Sequence, residues 1–123
     1  MEEKYRLLKN DTITVNGRTL YRIEAVRDFA NVEKGDKGGY IESEANLPHE
    51  GDCWVFGNAC VFGNACVFDN ACVFDNARVF DNACVFDNVR VFDNARVFDN
   101  ACVLGNACVL GNAQISNGII TNV

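Results

Sequence analysis

The chain has 123 residues, 49% of them hydrophobic, and a formal net charge of -6, proportions that suit one globular domain. The first 53 residues carry eight Lys/Arg against eleven Asp/Glu and the rest three Arg against six Asp, so neither part offers the basic field that a nucleic-acid partner needs. No apolar run approaches the roughly 18 residues of a membrane span, "MEEKYRLLKN" lacks the apolar core of a signal peptide, and the seven cysteines are odd in number. The expectation is a cytoplasmic protein with reduced thiols that meets neither membrane nor nucleic acid.

In chain order, "TITVNGRTLYRI" is a hairpin signal, because Asn16-Gly17 between two β-rich runs favours a tight primed turn. A strand around Lys4–Leu8 precedes it. "NVEKGDKGGY" reads as a glycine-rich connector, and residues 1–40 as an N-terminal cap followed by a second region, 41–123. In "LPHEGDC", an irregular step, Cys53 falls on a small, inward-facing place.

From Trp54 to Ala113 the sequence divides into ten hexads without insertion or deletion, each reading x-V-[FL]-[GD]-N-[AV]. A period of six drifts around an α-helix, whereas valine and phenylalanine favour strands and Gly-Asn or Asp-Asn favours turns. Each hexad is therefore a short strand plus a turn. Alternation puts Val61 on one side of the strand and Cys60 and Phe62 on the other. If the Asn of each turn takes the left-handed conformation, Ala65 points the same way as Val61. A chain that turns alike every six residues must coil, with Val and Ala filling a narrow interior.

These residues resemble the hexapeptide repeat of left-handed parallel β-helices, in which an inward aliphatic residue is followed four places later by an inward small one. Val61/Ala65, Val67/Ala71 and Val73/Ala77 match that pattern, and Ile41/Ala45 fit it in a first coil. The head, "YRIEAVRDFANVEKGDKGGYIESEANLPHEGDCWV" followed by "GNA" repeats, is similar to an uncharacterised group of bacterial and phage-borne hexapeptide proteins often labelled transferases. The resemblance implies an all-β, left-handed parallel β-helix with an N-terminal β-hairpin cap. It also implies 18 residues per triangular coil, with coils about 4.8 Å apart.

Stacking every 18 residues sorts the variable position into three columns: Cys60/Arg78/Arg96, Cys66/Cys84/Cys102 and Trp54/Cys72/Arg90/Cys108. Beside them run Phe62/Phe80/Phe98, Phe68/Phe86/Leu104 and Phe56/Phe74/Phe92/Leu110. Stacked rings would stabilise neighbouring coils, while Asn58/Asn76/Asn94/Asn112 and the other Asn columns bond along the turns. Phenylalanine on all three sides also exceeds what a monomer normally exposes, which marks an interface. Past Ala113 the pattern loosens: Ile115 and Ile119 fit the inward pair, Gly118 replaces the turn Asn, and Thr121 takes the inward aliphatic place. The end of the coil, at Ile120 and Thr121, is a second interface candidate because an uncovered β-helix end presents strand edges.

The sequence offers little chemistry. Acyltransferases sharing this repeat use an imidazole base and a loop or neighbouring subunit that shapes a coenzyme A cleft. His49 is the sole histidine here, and it lies in a surface loop outside ten hexads that extrude no loop. No metal site is expected, since cysteines six apart occupy different sides of a coil and the column Cys66/Cys84/Cys102 cannot close a tetrahedron. The pairs Asp69/Asp87, Asp75/Asp93 and Asp81/Asp99 read as solvated turn carboxylates rather than calcium ligands. Ice-binding β-solenoids present paired threonines on a flat outer face, whereas these hexads present Cys or Arg with Phe. The leading expectation is a non-catalytic structural or interaction module without a cofactor, forming a homo-oligomer or binding a protein partner. The alternative is a hexapeptide-type acyltransferase using acyl-coenzyme A, with His49 as its base.

Overall fold

A computed structural model describes residues 3–121. The molecule is an all-β left-handed parallel β-helix of about four turns, with an antiparallel hairpin at its N-terminal end. The hairpin strands are β1 (Tyr5–Val15) and β2 (Arg18–Ala25), and β3 (Lys37–Ile41) follows. Asn16 and Gly17 both have positive φ, 52° and 78°, as a type I′ turn requires. The strand expected around Lys4–Leu8 is the first half of β1, which a register shift between Leu8 and Thr12 divides.

Every later strand is two residues long, because a turn interrupts the chain once per hexad. One sheet stacks β4 (Trp54–Val55), β7 (Cys72–Val73), β10 (Arg90–Val91) and β13 (Cys108–Val109). A second stacks β6 (Cys66–Val67), β9 (Cys84–Val85), β12 (Cys102–Val103) and β15 (Ile119–Ile120). The third begins with the head: β1, β2 and β3 lead into β5 (Cys60–Val61), β8 (Arg78–Val79), β11 (Arg96–Val97) and β14 (Gln114–Ile115). Pairing within the repeat is parallel and in 18-residue register, as in Cys60↔Arg78 and Cys66↔Cys84.

Val61, Val67, Val73, Ala65, Ala71, Ala77 and Ala83 are fully buried, which makes the interior a dry Val and Ala stack. Backbone amides hold it together along the axis: Phe62 N–H donates to Val79 O at 3.0 Å and Asn64 N–H to Asp81 O at 2.8 Å.

The turns correct one expectation. Ala59 N–H donates to Phe56 O at 3.2 Å, so Gly57 and Asn58 are the central residues of the turn. Positive φ falls on the first of them: Gly57 at 61° and, in later coils, all six aspartates from Asp69 (59°) to Asp99 (56°). The Asn keeps negative φ, the pattern of a II′ turn. The aspartate offsets its backbone cost by capping the next coil: Oδ2 of Asp87 accepts Gly105 N–H at 2.9 Å and Oδ2 of Asp93 accepts Gly111 N–H at 3.1 Å. Where the coil above is the head, Glu42 does the same for Gly63 N–H at 2.8 Å.

Three other placements differ. In the first coil Ala45 is exposed on a 3-10 turn, Glu44–Asn46, and Leu47 fills the interior instead. Asn46, 1% exposed, uses its side-chain amide to donate to Ala65 O at 2.8 Å, replacing the amide that an incoming strand would have supplied. In the last coil Cys102 pairs with Ile119 and Val103 with Ile120, one residue short of the regular interval. Gly118, at φ 85°, closes the turn early. Ile120 therefore packs against the core, Ile119 points outward, and Thr121 is exposed.

Candidate functional site

The head does more than cover the end of the coil. Tyr5, Ile23, Ala25, Phe29 and Val32 join the interior around Val55 and Trp54, so Trp54, at an outward hexad position, is 1% exposed. Phe29 and Tyr5 meet its ring edge-on at 5.2 and 6.0 Å. The tip of the hairpin also folds across one side, where Val15, Leu20 and Tyr40 pack on Cys60 and Phe62. One expectation fails at this point: Phe62, 3% exposed, is no part of an open interface, and Cys60 beside it, on the outward side of its strand, is 2% exposed.

Under the head lies a buried polar cluster. Lys4, fully buried, donates from Nζ to Cys53 O at 2.7 Å and to Cys53 Sγ at 3.3 Å. Burial pushes the Lys4 amine below its ordinary range and the Cys53 thiol above its own, the lysine holding the latter back. Tyr5 OH donates to Leu47 O at 2.5 Å, and burial raises its pKa.

His49 belongs to this cluster rather than to the open surface, with its side chain 13% exposed. Its ring stacks on Tyr5 at 4.3 Å. Nδ1 accepts Lys4 N–H at 2.9 Å, which leaves the proton on Nε2, 2.6 Å from Glu44 Oε1. Both ring nitrogens are engaged. A cleft of about 520 Å³ opens beside the cluster, lined by Glu44, Ala45, Pro48, Glu50, Cys66 and Phe68 among others, but not by His49.

The sides of the solenoid carry the expected ladders. Phe56–Phe74, Phe62–Phe80, Phe68–Phe86 and Phe80–Phe98 are stacked, with centroids 4.7 to 5.2 Å apart, and Phe74–Phe92 is edge-on at 6.4 Å. Each ring covers much of its neighbour, so apart from Phe62 these rings are half-buried. Asn64, Asn82 and Asn100 bond in series through their amides, as do Asn70, Asn88 and Asn106. In the Asn58/Asn76/Asn94/Asn112 column no such bond forms among the described residues. The largest apolar exposure is at the last coil: Leu110 is 49% and Ile119 72% exposed, next to half-buried Ala113, Ile115 and Ile120. There β13, β14 and β15 each end a sheet with one edge unpaired among the described residues.

No protein-family model matches the chain, and comparison with curated proteins finds no match. No helix among the described residues is long and apolar enough to cross a membrane.

Proposed function

We propose that the chain is a non-catalytic β-solenoid module that self-associates, two copies meeting at their last coils. The observation that carries this reading is the coincidence, on one coil, of Leu110, Ile119 and three strand edges unpaired among the described residues. The head covers the opposite end, so contact between last coils is isologous and closes at a dimer instead of extending into a fibre. Apposed phenylalanine sides, at Phe80 and Phe98 or at Phe68, Phe86, Phe56, Phe74 and Phe92, are the other surface through which a copy or a protein partner would bind. Rings already stacked on one another offer less new burial there.

Light scattering tests the proposal. Leu110→Lys with Ile119→Lys, both outward positions, is expected to yield monomers from a dimeric wild type, and Phe80→Lys with Phe98→Lys to leave the dimer intact. The reverse result moves the interface to the side, and a wild type that stays monomeric at high concentration removes self-association. The acyltransferase reading rests on the resemblance of the repeat, and the occupied nitrogens of His49 weigh against it. A saturable rise in melting temperature with acetyl-coenzyme A would restore it.

A further inference from the structure

Arg78 and Arg96 are direct partners on adjacent strands, so two guanidinium stems rise from one sheet about 4.8 Å apart. Like charges placed directly opposite one another are unfavourable, and nothing in the fold asks for them, since Cys occupies the same hexad position elsewhere. The arginines of the head are all bonded: Arg6 to Glu24, Arg18 to Glu42, Arg22 to Asp11, Arg27 to His49 O. Among the described residues, Arg78 and Arg96 make neither an ion pair nor a side-chain hydrogen bond. They flank a groove of about 390 Å³ whose other lining residues are Asn76, Asn94, Asn112 and Gln114. No carboxylate lines it. Asp75 and Asp93, which precede the lining residues Asn76 and Asn94 in the chain, each accept the turn amide one coil on, at 3.2 and 3.1 Å. This is also the one Asn column whose amides do not bond to each other, which leaves them free to meet a ligand.

We propose that this groove binds a dianionic phosphate group, free or as a monoester. Two adjacent guanidinium forks need more than one edge of acceptor oxygens; the three terminal oxygens of a phosphate dianion offer two edges that share one oxygen, and a single carboxylate offers one. Bridged by one phosphate, the two arginines cease to repel. The Asn and Gln amides donate to the lone pairs that the two forks leave free. The groove runs along one side and reaches the last coil at Asn112 and Gln114, but Leu110 and Ile119 do not line it.

The test is a phosphorus NMR titration of the full chain at constant ionic strength, with inorganic phosphate and phenyl phosphate as separate ligands. Saturable binding is expected, weakened about tenfold or more by Arg78→Ser with Arg96→Ser and by Asn94→Asp, which puts a carboxylate into the groove. Arg90→Ser is the control, because Arg90 stands between Cys72 and Cys108 with no second cation beside it, and it should bind as the wild type does. Tighter binding of phenyl phosphate identifies a monoester as ligand and tighter inorganic phosphate the free ion, and either supports the site. Absence of saturation, wild-type binding by the double variant, or an equal loss in Arg90→Ser overturns it.

Discussion

Cys60 and Cys66 occupy the same place in consecutive hexads, yet the first is buried and the second half-buried with its thiol donating to Ala45 O at 3.2 Å. The difference is that of the head and the repeat. Within the repeat, position in the hexad sets the environment, and backbone amides passed from coil to coil carry the structure. The head has no period. It is held by particular side chains, Lys4 on Cys53, Tyr5 on Leu47, Arg22 on Asp11 and Gly38, and where it lands it changes the chemistry of the solenoid surface beneath it. A repeat sequence thus specifies a uniform surface, and an aperiodic element differentiates it.

The sharpest break of this comparison is within the repeat itself. Ala83 is fully buried, so Ala83→Asp should strand a carboxylate in the Val and Ala interior and destabilise the fold by several kcal/mol. Arg78→Ser, at the outward position that opens the same hexad, should cost less than about 1 kcal/mol. Urea unfolding of both variants measures the contrast, and equal losses would mean that inside and outside have been confused.

Next in size is a change confined to the head. Leu20 is fully buried over Cys60 and Phe62, and Leu20→Ala should cost about 2–4 kcal/mol. It should also make Cys60 accessible. A bulky thiol reagent is expected to label five cysteines in the native wild type, sparing Cys53 and Cys60, and six in the variant, counted by mass spectrometry. Labelling of Cys60 in the wild type at the rate of Cys66 would show that the hairpin does not cover this side.

The smallest effect joins both regions. Burial is the main cause that raises the thiols of Cys53, Cys60, Cys72 and Cys84 above their ordinary 9.0. Between that value and the folded-state pKa the unfolded chain has lost protons that the folded chain keeps, so stability falls as pH rises above about 9. Lys4 acts in the opposite sense, because its lowered pKa makes the unfolded chain the more protonated state until pH 10.5. Four thiols outweigh one amine, and melting temperature should decline from pH 9 upward, less steeply in Cys60→Ser with Cys72→Ser. A flat or rising profile would contradict the burial of these groups.

The hexad pattern determined short strands alternating with turns in a coiling chain and the inward Val and Ala, because each depends on neighbours that the period repeats, while the parallel β-helix with its 18-residue columns of stacked rings followed from the resemblance of that pattern to hexapeptide repeats. Asn16-Gly17 likewise announced its turn, since both residues tolerate positive φ at low cost. Which turn residue adopts the left-handed backbone could not be read from Asp-Asn, as both types tolerate it; the hydrogen bond from Ala59 to Phe56 made the choice. Leu47 in place of Ala45, and Ile120 in place of Thr121, are shifts of one or two residues at the ends of the repeat, where no following hexad enforces the register. The engagement of His49 by Lys4 and Glu44, the burial of Cys60 and Phe62, and the unpaired arginines of the groove were decided only in three dimensions. Each depends on contacts that the sequence pattern does not encode, made or left unmade when the aperiodic head settles on the coil and the coils stack.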